Sequence, residues 1–180
     1  VALCGATDAG IVRQIVAGFC AIKALSRRND APEQASRPFD ASRDGFVIAE
    51  GAAVLMLESE EHAIQRGAHI LAYLAGYGHT SDAFHITAPI ESGEESAKAM
   101  IFALEQAGLS PKEVDYVNAH GTSTVLNDVA ETKAIKRALG ERAYTVPVSS
   151  TKSCTGHLLG AAGALEAAFC VLALRDGIIP

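Results

Sequence analysis

Two strand-like runs, each ending in a turn rich in glycine and threonine, constrain this chain more than anything else in it. Val114 to Asn118 feeds Ala119-His120-Gly121-Thr122-Ser123-Thr124. About thirty residues on, Thr145 to Val148 feeds Ser149-Ser150-Thr151-Lys152-Ser153-Cys154-Thr155-Gly156-His157-Leu158-Leu159-Gly160-Ala161-Ala162-Gly163. Short runs bounded by such punctuation read as buried strands. A helical pattern from about Asp128 to Leu139, closed by Gly140, lies between them. Strand, helix and strand in that order imply an α/β domain, in which reactive groups sit beyond the carboxyl ends of strands. Two histidines and a lysine fall there.

The rest of the chain fits that class. Phe46-Val47-Ile48-Ala49, Ala53 to Leu57 and Ile70 to Tyr77 read as strands, and Glu58 to Arg66 as a helix stopped by Gly67. Ser92 with Glu95 three residues later predicts a capping box, followed by Met100, Leu104 and Ala107 at helical spacing up to Gly108. Ser110-Pro111-Lys112-Glu113 starts a short helix by the same logic. The polar stretch from Arg27 to Asp44 separates a first apolar piece from the strand-like run that begins at Phe46. No repeat or low-complexity tract is visible.

Composition excludes several functions. With about half of its 180 residues apolar, the chain has the material for a real core. A formal charge of −6 argues against nucleic acid, whose phosphates demand a basic face. The longest apolar stretch, Leu158 to Leu174, is short for a membrane span and carries Glu166, so it reads as a buried helix. The four cysteines, Cys4, Cys20, Cys154 and Cys170, have neither zinc nor disulfide-framework spacing and read as small buried residues in a reducing compartment. No metal site is expected, because Cys154-x-x-His157 has no second pair of ligands. Gly76-x-Gly78 lacks the rest of a dinucleotide fingerprint, and no Gly-x-Ser-x-Gly elbow is present.

On the two histidine turns, and on Ala24 to Asp30, Ser36-Arg37-Pro38-Phe39-Asp40, Arg43 to Val47 with Glu50-Gly51-Ala52, and Ser81 to His85, the chain resembles the β-ketoacyl-acyl carrier protein synthases of the thiolase-like superfamily. The fatty-acid-elongating synthase II type is the most similar. The resemblance implies a partial thiolase-like α/β fold, with residues 1–60 closing the first half of a duplicated architecture and 61–180 forming most of the second. It also implies that the chain is an interior segment. The nucleophilic cysteine of the family is then expected upstream of Val1, and the segment alone should not condense anything.

The same resemblance implies the chemistry. A thiolate takes an acyl group, a malonyl thioester loses carbon dioxide, and two imidazoles stabilise the charge left on the thioester oxygen. His120 and His157 match that pair, and Lys152, matched with Glu166 as an ion pair, would keep the imidazoles neutral. Thr122 and Thr124 match positions that bind the 4'-phosphopantetheine arm of acyl carrier protein, and Phe19 a position near the acyl pocket. Lys23, with Arg27 and Arg28, is a solvated basic face or a docking patch for the acidic carrier protein. His85 is expected behind the catalytic groups, and His62, His69 and His79 as ordinary residues. No cofactor of its own, no membrane, a cytoplasmic (bacterial-type) or organellar location and a homodimer are the remaining expectations. A non-condensing chain-length-factor-like subunit and a polyketide ketosynthase are the alternatives.

Overall fold

The computed structural model describes all residues from Val1 to Pro180. Its first layer is an antiparallel ribbon of β1 (Ala2–Asp8) and β2 (Gly51–Leu57), in a register that pairs Ala2 with Leu57 and Asp8 with Gly51. Helix α1 (Arg13–Ala21) follows β1, and α2 (Glu60–Gln65) follows β2, capped by the Ser59 hydroxyl. The second layer is a strand-helix-strand unit: β3 (Val117–Asn118), α4 (Val125–Leu139) and β4 (Val148–Ser149), the strands parallel with Val117 beside Val148. A helical crossover is what parallel neighbours require. Helix α3 (Glu94–Ala107) packs along α4, the short α5 (Lys152–Thr155) leaves β4, and α6 (Ala162–Asp176) lies against the β1–β2 ribbon.

The α3–α4 contact holds the main core, formed by Ala97, Ala134, Ile135, Ala138, Leu139 and Val146. Small side chains let the helices approach, and Gly93 makes the approach possible. At φ 63° it is in the left-handed region, and a Cβ there would stand 2.2 Å from the Ala130 carbonyl oxygen. Gly93 is therefore the N-cap of α3. The capping box expected at Ser92 does not form, and the Ser92 hydroxyl only accepts a long bond from the Glu94 N–H.

Other sequence expectations are corrected in the same way. Ile70 to Tyr77 joins no ladder, because it runs beside α3 and no strand adjoins it; at Gly78 the backbone lies so close to α3 that a Cβ would meet the Ala99 carbonyl. Phe46 to Ala49 makes only isolated bridges, Leu25 to Phe46 and Ile48 to His157. Helix α4 starts at Val125 rather than near Asp128, since the Thr124 hydroxyl caps it by accepting from the Asn127 N–H. The stretch from Leu158 is not a buried helix: Leu158, Ala161 and Ala162 are buried, but the remainder of α6 is half-exposed or exposed. Cys4, Cys20 and Cys154 are exposed, and Cys170 is half-buried.

That shortfall in burial is general. Only 26 of 180 residues are buried, and the accessible surface is 11039 Å². A monomer of this mass, 18.7 kDa, exposes about 8,300 Å². The core expected from composition is therefore confined mostly to the α3–α4 layer. No helix is long and apolar enough to cross a membrane.

Candidate active site

Both histidine turns leave the parallel strands at the same end. His120 follows β3, and Lys152 and His157 follow β4 through α5. The backbone of His157 is fixed to a third segment: its N–H donates to the Val47 carbonyl at 2.7 Å, and its carbonyl accepts from the Ala49 N–H at 3.0 Å. The two imidazoles then stand edge to face, ring centres 5.2 Å apart and planes 84° apart, with Phe46 edge-on to His157 at 5.2 Å. Phe19 meets Phe46 at 5.1 Å.

Lys152 lies beneath this pair and is 1% exposed. Its Nζ donates to the His120 carbonyl at 2.5 Å and forms an ion pair with Glu166, which α6 carries into the site. A buried ammonium is tolerated only with such partners. Although part of His120 stays exposed to solvent, desolvation by the surrounding protein, with the Lys152 charge second and the His157 ring third, pushes its imidazole down to about 4. Burial and then Lys152 push His157 down to about 4 as well, against a small opposing pull from Asp8. Both rings are thus neutral near pH 7.

The tautomer of His157 follows from its neighbours. The Leu159 N–H donates to Nδ1 at 3.1 Å, so Nδ1 is the acceptor and Nε2 carries the proton. A neutral ring with its proton on Nε2 is a hydrogen-bond donor available to an anionic oxygen.

Sequence reasoning missed the groups that hold these turns. Glu131, on the second turn of α4, accepts the His120 and Gly121 N–H groups, each at 2.7 Å, and burial raises its carboxyl against those donors. Asp128 is 2% exposed, accepts the Phe39 N–H at 2.8 Å and pairs with Arg43 at 3.3 Å. Asp8, at the end of β1, accepts the Gly160 N–H at 3.0 Å. A signal was present: two acidic residues three apart open a helix that starts inside the histidine motif.

The remaining expected positions scatter. Thr122 is buried, and its hydroxyl is 2.8 Å from that of Thr124, the residue that also caps α4. Phe19 lines an open groove of about 400 Å³ with Asp8, Ile15, Gly18, Ile22 and Leu159, beside the imidazoles. Lys23 and Arg27 are exposed, whereas Arg28 is half-buried and its guanidinium turns back onto the Ser42 carbonyl at 3.4 Å. His85 is spent locally, its Nδ1 accepting the Thr87 and Ala88 N–H groups.

Residues 71–180 match the model of the β-ketoacyl synthase C-terminal domain, and residues 1–63 match that of the N-terminal domain. The chain belongs to the β-ketoacyl synthase family. It is 53% identical over 178 residues to 3-oxoacyl-[acyl-carrier-protein] synthase 2 of Synechocystis sp., covering 99% of this chain and 43% of that protein. The fold is thiolase-like. A type II polyketide ketosynthase, solved in complex with its acyl-carrier protein and bound to the hexaketide, superposes with a TM-score of 0.93 at 46% identity over 96% of this chain and 43% of its own. The ishigamide ketosynthase/chain length factor superposes at 0.88, with 40% identity over 99% of this chain and 41% of its own. The chain thus spans about 43% of the length of the curated relatives it matches.

Proposed function

We propose that this chain supplies the decarboxylating half of the active site of a β-ketoacyl-acyl carrier protein synthase that elongates fatty acyl chains by Claisen condensation with malonyl-acyl carrier protein. One observation carries the reading: two neutral imidazoles stand edge to face over a buried lysine, and one of them has its proton fixed on Nε2. When a malonyl thioester loses carbon dioxide, the electron pair moves onto the thioester oxygen as an enolate. Donors aimed at that oxygen stabilise the charge, and losing one costs about 3 to 4 kcal/mol. The neutral state matters, because an imidazolium would give its proton to the enolate and quench the carbanion before it attacked the acyl thioester.

Within this reading, His120 and His157 bind the oxygen, and Lys152, held by Glu166, adds its charge to the burial that keeps both rings neutral. Thr122 and Thr124 offer hydroxyls to the amides of the pantetheine arm, which acyl carrier protein brings in, so the protein needs no cofactor of its own. The nucleophilic cysteine comes from outside these residues. The division read near residue 60, a homodimer and a cytoplasmic location belong to the same proposal. Acyl carrier protein as partner is supported by the solved complex of the related polyketide ketosynthase. The exposed Lys23 and Arg27 are its candidate contacts.

The likeness to the ketosynthase/chain length factor assembly favours one second reading, a non-condensing partner subunit. A subunit without chemistry has no use for the two neutral imidazoles. The test is decarboxylation of malonyl-acyl carrier protein by the full-length protein. Turnover that drops at least about a hundredfold in His157→Ala is the expected result. Near-parental decarboxylation in that variant refutes the assignment, and a parent without decarboxylation favours the partner subunit.

A further inference from the structure

The strap from Ser36 to Gly45 supplies no group to the chemistry above, yet it is tied to both catalytic turns. The Ser36 hydroxyl donates to the Lys152 carbonyl at 2.5 Å. The Arg37 N–H donates to Ser123 Oγ at 3.0 Å, and the Gly45 N–H donates to the Ser123 carbonyl at 3.1 Å. Ser123 itself is fully buried at φ 69°, a conformation that a residue with a side chain keeps only where its surroundings enforce it. The strap and the His120 turn therefore lock each other, and Ser36 extends the lock to the lysine.

We propose that Ser36 is a positioning residue, whose hydroxyl holds the Lys152 carbonyl and thereby sets where the lysine ammonium sits beneath the two imidazoles. The Lys152 carbonyl otherwise accepts only the Gly156 N–H that closes α5. A four-residue helix gives little rigidity of its own, so the peptide from which the lysine side chain departs is fixed from the strap. The charged groups facing the imidazoles are few: Lys152 from α5, Glu166 from α6, Glu131 from α4 and Asp8 from β1, with the Asp128–Arg43 pair one turn beyond Glu131. Among these only Lys152 carries a positive charge that both rings feel. Moving it away weakens the second of the causes, after burial, that keep them unprotonated.

The test compares Ser36→Ala with Ser42→Ala in the full-length protein, by histidine-selective NMR titration and by the pH profile of malonyl decarboxylation. Ser42 is on the same strap, but its hydroxyl bonds only to Asp40 and Arg37 within it. Ser36→Ala should raise the His120 and His157 midpoints by about one unit toward 6.5. The acid limb of the profile should move with them, kcat should fall about tenfold with KM unchanged, and Ser36→Thr should restore both. Ser42→Ala should leave the midpoints in place. Unmoved midpoints in Ser36→Ala, or an equal shift in Ser42→Ala, overturns the proposal. Should Ser36→Ala not fold, Ser36→Cys keeps the size with a weaker donor; a smaller rise supports the assignment and no rise overturns it. The proposal rests on the decarboxylase reading, but the titration needs no turnover. An inactive parent breaks that reading, while unmoved midpoints break the role of Ser36.

Discussion

The α3–α4 layer and the β1–β2 ribbon are both rich in alanine and aliphatic residues, yet one closes and the other stays open. Between the helices Ala97 and Ala134 are wholly buried. On the ribbon Leu3, Val54 and Met56 are 73%, 68% and 63% exposed, and α1 buries no residue at all. Apolar content therefore does not decide burial here. What decides it is whether the chain supplies a second surface, as the Gly93 turn does when it brings two helix backbones together. The candidate site lies on the boundary. Its two histidine turns belong to the closed layer, whereas Glu166 and Asp8 come from the elements of the open one. The Lys152–Glu166 pair ties the halves.

Cutting that tie should have the largest effect. In the full-length protein, Glu166→Ala leaves a buried ammonium without its counter-charge and should lower unfolding stability by about 3 to 5 kcal/mol in a denaturant titration. An unchanged midpoint would mean that the halves hold together without it. Gly93→Ala tests the closed layer: the added methyl meets the Ala130 carbonyl at a left-handed φ, and a loss of about 2 kcal/mol is expected.

A gentler effect comes with pH. Both histidines have folded pKa values near 4, below the unfolded value of about 6.5. Between those values the unfolded chain binds more protons, so their contribution is complete above about pH 6.5 and lost as pH falls toward 4. Thermal melts across that window should show a decline that His120→Gln lessens. The smallest effect belongs to the open ribbon: Met56→Gln in the 180-residue chain should change stability by less than about 0.5 kcal/mol. A larger loss would show that the ribbon face is covered after all.

The same contrast explains what was legible in the sequence. The turns carrying His120, Lys152 and His157 could be placed because strand-turn punctuation and motif order are local, and Glu166 because the family resemblance matches it with Lys152. The four cysteines, the Ile70 to Tyr77 segment and the outer face of α6 were misjudged, because burial and pairing depend on neighbours that sequence pattern does not name. Glu131 and Ser36 were missed for another reason. Both act on backbone groups, Glu131 on the N–H groups of His120 and Gly121 and Ser36 on the Lys152 carbonyl, and residue type alone does not announce such contacts.

The most direct measurement is a histidine-selective NMR titration of the full-length protein, with His120 and His157 assigned by substitution. Both rings are expected to remain neutral down to about pH 4, with His157 protonated at Nε2. Midpoints near 6.5, the ordinary imidazole value, would contradict the burial and the Lys152 charge acting on the pair, and midpoints above about 7.5 would contradict a neutral oxyanion pair outright, because rings that are mostly imidazolium at pH 7 would quench the carbanion they are meant to hold.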